Sequence, residues 1–130
     1  MSAHHQVVGI STGSYLSKVA WTQTPLDQGG LKGTNIPLLS DQTGQICAAY
    51  GMLRTDAGYS FRGFVVVDPA GVVACRTMSD LPLGLGVAEA LRVYDAAELT
   101  YRGRKCTPPG MEFNQISMLL IKKAFFVNLK

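Results

Sequence analysis

Ser60-Phe61-Arg62-Gly63-Phe64-Val65-Val66-Val67-Asp68-Pro69-Ala70-Gly71-Val72-Val73-Ala74-Cys75 is the stretch whose reading decides the fold. A β-branched and aromatic run breaks at Asp68-Pro69-Ala70-Gly71 and a second apolar run follows, the pattern of two strands joined by a tight turn. Proline and glycine stand in that tetrad where a type I turn wants them. Residues 64–67 show no polar alternation, so this strand is expected in the middle of a sheet, covered on both faces. The second strand is read over 72–78. Arg62 enters the first strand at its N-terminal edge, where a guanidinium near buried surface needs an anion or hydrogen-bond acceptors. A carboxylate partner is the commoner answer to that need and a chemical role the sharper one.

Working outward toward the N-terminus, Gln6-Val7-Val8-Gly9-Ile10-Ser11 reads as a buried strand that closes on hydroxyls and glycine. Ser14 can cap a helix through about Trp21, with Leu16, Val19 and Ala20 on one face and Lys18 outward, stopped by Thr24-Pro25. Asp27-Gln28-Gly29-Gly30-Leu31-Lys32-Gly33 is a glycine-rich loop without P-loop or dinucleotide-turn spacing, and it is read as a flexible surface loop. Residues 35–40 follow as a strand whose proline suggests a sheet edge. Asp41 or Thr43 can cap a short helix over 45–50, ended by Gly51 in the left-handed conformation, and 52–59 is a polar connection.

Beyond the hairpin, glycines in Asp80-Leu81-Pro82-Leu83-Gly84-Leu85-Gly86 halt regular structure. The periodicity then predicts a helix over 87–99, with Val87, Ala90, Leu91, Tyr94, Ala97 and Tyr101 sharing a face that packs on the sheet. Strands and helices in this order give an α/β layered domain with parallel crossovers first and a hairpin later. One point is awkward. An opening strand as apolar as 7–10 should have neighbours on both sides, and little sequence precedes it.

With 130 residues and a hydrophobic fraction of 47%, the chain is one domain with enough apolar side chains for a core. A charged fraction of 16% lies below the usual value of about a quarter, which points to surface buried against another subunit. The net charge of +3 comes from the C-terminal end, where Arg102, Arg104, Lys105, Lys122, Lys123 and Lys130 face a single acid, Glu112. These cations do not interleave with aromatic residues, which argues for a solvated basic end and against nucleic-acid binding. Three cysteines without CxxC spacing argue against a disulfide framework and a zinc site, and adjacent His4 and His5 suit a solvated terminus better than a metal. The first six residues are too short and polar for a signal peptide, and no stretch reaches the roughly 20 apolar residues of a membrane span, so a cytoplasmic protein is expected.

Several blocks, taken together and in order, resemble the typical 2-Cys peroxiredoxins: Ala20-Trp21-Thr22-Gln23-Thr24-Pro25, Gln28-Gly29-Gly30-Leu31, Asn35-Ile36-Pro37-Leu38, Ser40-Asp41, Tyr50-Gly51, Ser60-Phe61-Arg62-Gly63 and Asp80-Leu81-Pro82 with Gly84. The resemblance implies a thioredoxin-like fold, N-terminally truncated, a mixed sheet with flanking helices over 1–110. It implies a thiol peroxidase that reduces hydrogen peroxide and alkyl hydroperoxides without metal or cofactor, is reduced by thioredoxin, and forms homodimers that assemble further. The family's nucleophile lies in a Pro-x-x-x-Thr-x-x-Cys segment ahead of the strand at 7–10, and none of Cys47, Cys75 or Cys106 has threonine three residues or proline seven residues before it. The chain is therefore expected to be inactive alone or to depend on another subunit.

Site residues follow from the same resemblance. Arg62 matches the arginine that holds the peroxidatic sulfur as thiolate, because a neighbouring cation lowers a thiol's pKa. Arg92 matches the pocket's second arginine, and Cys106, in Arg104-Lys105-Cys106-Thr107-Pro108-Pro109-Gly110, matches the resolving cysteine that forms an intersubunit disulfide. Cys47 and Cys75 are read as buried or edge thiols without redox duty. Gly13, Lys32 and Leu85 depart from the family pattern. Residues 111–130 lack the family's C-terminal helix and Tyr-Phe ending, and are read either as an amphipathic helix or as sequence foreign to the fold. A different class of function remains beside the peroxidase: a non-catalytic dimerisation or binding module that keeps the interface strand 72–78 and pairs with full-length subunits.

Overall fold

The computed structural model describes residues 6–103 and 125–127. Strand β1 (Gly9–Ser11) is followed by helix α1 (Tyr15–Gln23), strand β2 (Leu38–Ser40), the short helix α2 (Gln45–Ala49), a small hairpin of β3 (Leu53–Arg54) and β4 (Tyr59–Ser60), the long hairpin of β5 (Arg62–Val67) and β6 (Val73–Ser79), helix α3 (Val87–Gly103) and strand β7 (Phe125–Val127). Five strands form one mixed sheet in the order β2-β1-β7-β5-β6. β1 runs parallel to β2 and β7, while β5 is antiparallel to β6 and β7.

The deciding hairpin forms as its residues require. Asp68 accepts the Gly71 amide on its carbonyl at 3.0 Å, and its carboxylate accepts the amides of Ala70 at 2.9 Å and Val72 at 2.8 Å. Gly71, at φ +84°, supplies the left-handed residue that returns the chain into β6. β5 is buried from Gly63 to Val66, with Phe64 and Val66 packed with Ala90 and Tyr94 of α3 in one apolar cluster. Ile10, Cys47 and Met52 make a second cluster under β1 and α2.

Helix α1 begins at Ser14, whose hydroxyl accepts the Ser17 amide at 3.1 Å. Its orientation differs from the expected one. Lys18 is 7% exposed and Leu16 76% exposed, because the Lys18 ammonium reaches back under β1 and donates to the carbonyls of Ser11 at 3.2 Å and Gly13 at 2.8 Å. A cation that satisfies main-chain acceptors is buried here in place of an apolar side chain. On α3 the expected face is buried only in its middle: Ala90 and Tyr94 are buried, whereas Val87 and Tyr101, at its ends, are exposed.

The glycine-rich loop is tied down. A 3-10 turn, Leu26–Gln28, is followed by main-chain bonds from Gly30 to Pro25 (2.8 Å), Leu31 to Trp21 (2.9 Å) and Lys32 to Thr24 (3.0 Å), and the Trp21 indole donates to the Gly29 carbonyl at 2.8 Å. The connection at 52–59 contains the small β3–β4 hairpin, and the strand expected over 35–40 keeps ladder pairing only at Leu38–Ser40, on the sheet edge. The awkward opening strand does have two neighbours. β2 lies on one side and β7, Phe125–Val127, lies on the other; the rest of the tail read over 111–130 lies outside the described residues.

Candidate functional site

Arg62 opens β5 and pairs in register with Ser79, the last residue of β6. The register follows from the turn at Asp68–Gly71 with one irregularity between Val66 and Val67. The guanidinium Nε of Arg62 and the hydroxyl of Ser79 are both buried with no hydrogen-bond partner among the described residues. A donor in that state costs free energy until something accepts from it, so two facing, unsatisfied polar atoms at the mouth of a hairpin form a place for a small polar or anionic group. Among the described residues no carboxylate pairs with Arg62: the ion pairs there use Arg54, Arg92 and Arg102.

Arg92 lies in a different setting. On α3 it is held by Glu89 through two hydrogen bonds of 2.8 and 2.7 Å, and it lines an open depression of about 420 Å³ together with Asp68, Cys75, Val93 and Tyr101. Asp68 and Cys75 belong to the turn end of the β5–β6 hairpin, whereas Arg62 stands at its open end, so the two arginines have separate surroundings. Cys106 lies outside the described residues.

The two described thiols are unlike each other. Cys47 is 1% exposed, and burial first, then a hydrogen bond to and the negative charge of Asp41, pushes its thiol up to about 11. That is the wrong direction for a nucleophile, which must be thiolate near neutral pH. Cys75, on β6, is partly exposed and its sulfur lies 4.0 Å from the Thr77 hydroxyl. Asp41, 4% exposed, accepts the Cys47 amide at 2.7 Å. Burial works to raise its pKa, but the hydrogen bonds from Cys47 and from the amides of Ile46 and Gln45 bring it below the ordinary carboxylate value. Among the described residues no group of His, Cys, Asp and Glu is placed to hold a metal ion, and no helix is long and apolar enough to cross a membrane.

Comparison with known families decides what this geometry belongs to. The model of the AhpC/TSA family matches residues 2–76, more than half of the chain, including β1 through the start of β6. The chain belongs to the AhpC/TSA family. Its relatives include Peroxiredoxin-2 of Macaca fascicularis, 41% identical over 105 residues that make up 81% of this chain and 53% of the relative. Peroxiredoxin tpx1 of Schizosaccharomyces pombe is 48% identical over 91 residues, covering 70% of this chain and 47% of the relative. The solved reduced 2-Cys peroxiredoxin of Plasmodium vivax superposes with a TM-score of 0.75 at 33% identity, over 82% of this chain and 55% of that one. This AhpC/TSA chain thus has the α/β, thioredoxin-like architecture of 2-Cys peroxiredoxins and spans about half the length of the curated relatives it matches. Arg62 falls inside the matched span and Arg92 beyond it.

Sequence reasoning singled out Arg62 and did not single out Ser79, its partner in the ladder. Counting outward from a turn at Asp68–Gly71 would set Arg62 opposite Thr77; the irregularity between Val66 and Val67 moves the register so that Ser79 takes that place, and nothing local in the sequence announces it.

Proposed function

We propose that this chain contributes the arginine-bearing part of a peroxiredoxin-type thiol peroxidase, acting on hydrogen peroxide and alkyl hydroperoxides in antioxidant defence and redox homeostasis, and dependent on a cysteine from another subunit. The observation that carries the reading is the Nε of Arg62 at the head of β5, buried and without a hydrogen-bond partner among the described residues. In this scheme the guanidinium stabilises a cysteine thiolate, whose sulfur attacks one oxygen of the peroxide. The O–O bond breaks, the departing oxygen leaves as water or alcohol after taking a proton, and the sulfur becomes a sulfenic acid. Cys106 as thiolate then displaces water from that sulfur to give an intersubunit disulfide, which the dithiol of thioredoxin reduces. Arg92 is proposed as a second anion-stabilising residue, with residues 1–110 as the family-like unit, a peroxiredoxin homodimer or higher oligomer as the assembly and the cytoplasm as its location.

The test uses a full-length 2-Cys peroxiredoxin whose resolving cysteine has been replaced by serine, assayed with thioredoxin, its reductase and NADPH. The expected result is no turnover by this chain alone, turnover restored when this chain is added, and no restoration by its Cys106→Ser variant. Failure to restore turnover, with no mixed disulfide on a non-reducing gel, overturns the reading.

A non-catalytic dimerisation module is favoured by a separate observation: β6 is an edge strand and exposes Val73 and Met78, with Val72 beside them. Sedimentation of a mixture with a full-length relative separates the two readings, since a module forms mixed oligomers whether or not Cys106 is present.

A further inference from the structure

The sheet has a seam. β1 and β5 do not pair with each other; each pairs with β7, through Gly9↔Phe126 and Ile10↔Val127 on one side and Gly63↔Val127, Phe64↔Phe126 and Val65↔Phe125 on the other. The seam also divides the interior. Ile10, Cys47 and Met52 form one apolar cluster, and Phe64, Val66, Ala90 and Tyr94 form another. Both strands bordering the seam are buried, Gly9–Ser11 throughout and Gly63 to Val66 in β5. Without an occupant, two buried strand edges would present main-chain donors and acceptors with nothing to pair them, a state that strongly favours any extended segment able to enter.

We propose that the slot between β1 and β5 is a strand-acceptor site for an extended apolar peptide, and that β7 is its resident, replaceable ligand. Recognition is mostly main-chain: the incoming segment runs parallel to β1 and antiparallel to β5, and the ladder supplies affinity as in strand addition to a sheet. The residues facing the slot set its preference. Gly9 stands opposite Phe126 on the β1 side and Gly63 opposite Val127 on the β5 side, so each of these two ligand residues meets, on one of its two sides, a ladder position that carries no side chain. The occupant belongs to the same chain, connected through 104–124 to the end of α3, which gives it a high effective concentration over any free peptide. A free peptide of the same sequence therefore enters only when β7 has been weakened. The proposal stands apart from the peroxidase reading, because it rests on the sheet order and needs no cysteine.

The test uses the full chain and a fluorescent synthetic peptide, Ile-Lys-Lys-Ala-Phe-Phe-Val-Asn-Leu-Lys, copied from residues 121–130. Phe126→Pro in the chain removes the central N–H of β7 from the ladder. The expected result by fluorescence anisotropy is binding about tenfold or more tighter to the Phe126→Pro chain than to the parent, competed by unlabelled peptide and not by the peptide carrying the same proline. Equal binding to both chains, or none to either, overturns the proposal. Should Phe126→Pro fail to fold, the parent chain carrying Val65→Cys and Phe125→Cys, with Cys75 and Cys106 changed to serine, answers the same question. A disulfide closing within one monomer supports the slot and its occupant, and absence of that monomeric link on oxidation overturns them.

Discussion

Arg62 and Ser79 face each other across the β5–β6 ladder, and the Nε of one and the hydroxyl of the other are buried without a hydrogen-bond partner among the described residues. An unsatisfied buried donor or acceptor costs roughly 1–3 kcal/mol, so the folded chain carries this pair at a cost. Substitution that removes an unpartnered atom loses no hydrogen bond. Arg62→Met and Ser79→Ala are each expected to change the unfolding free energy by less than about 1 kcal/mol in urea denaturation, with some gain for the arginine change. A loss of more than twice that for either variant would show that the pair is already satisfied within the fold.

Asp41 sets the acid limit of the N-terminal half. Its carboxylate is held below the ordinary 3.8 by hydrogen bonds that outweigh its burial, so it binds its proton less readily folded than unfolded. Its stabilising effect is fully present above the unfolded value and is lost as pH falls through the lower, folded value. Asp41→Asn is therefore expected to flatten the fall in stability below about pH 4 and to cost about 1–3 kcal/mol at pH 7. Circular dichroism melts across about pH 2 to 7 check both arms.

Lys18 gives a second, opposite-ended dependence. Burial lowers its pKa from 10.5, offset in part by Cys47 and Asp41, so the unfolded chain holds the proton more tightly between the folded value and 10.5. Stability attributable to this group rises with pH through that window. In Lys18→Met that rise disappears, while the two carbonyls of Ser11 and Gly13 lose their donor and the protein is destabilised by about 1–3 kcal/mol at neutral pH. Melting temperatures at pH 7 and pH 10 for both proteins decide it.

Cys47 and Cys75 are expected to separate cleanly under alkylation. With its thiol pushed up to about 11 and 1% exposed, Cys47 is protonated and out of reach near neutral pH, whereas Cys75 is partly exposed. Iodoacetamide on the folded protein, read by peptide mass spectrometry, should label Cys75 first and Cys47 only at the rate of unfolding. Labelling of Cys47 at the rate of Cys75 would contradict the buried position of Cys47 on α2.

Gly63 allows the hairpin and the β3–β4 segment to approach each other. A Cβ there would stand 2.1 Å from the Met52 methyl and 2.2 Å from the Thr77 carbonyl oxygen. Gly63→Ala is expected to lower stability by about 2 kcal/mol or more, because the carbonyl belongs to a paired strand and cannot swing aside. Adding Met52→Ala should recover little, since it relieves only the flexible contact. Guanidinium unfolding of the single and double variants measures this.

Much of this architecture could be read locally. The Asp68–Gly71 turn, the cap at Ser14 and the buried run of β5 are written in near-neighbour residues, whose conformational preferences act over a few positions. The place of Arg62 at the head of the buried strand was also legible, because the charged residue directly precedes the apolar run. Lys18 was misread as outward because helical periodicity sorts residues by polarity and does not foresee a long amine curling back onto two carbonyls of β1.

What the amino-acid order determined by itself is the β5–β6 hairpin with its turn, the helices α1 and α3, and the arginine at the hairpin's mouth. What only the tertiary structure decided is who sits beside whom across the sheet: Ser79 opposite Arg62, Arg92 at the other end of the hairpin, and Phe125–Val127 between β1 and β5. The physical reason is range. Turns, caps and burial runs are fixed by contacts between near neighbours, whereas strand pairing over a separation as long as that from Ile10 to Val127 depends on which buried backbone edge remains to be satisfied.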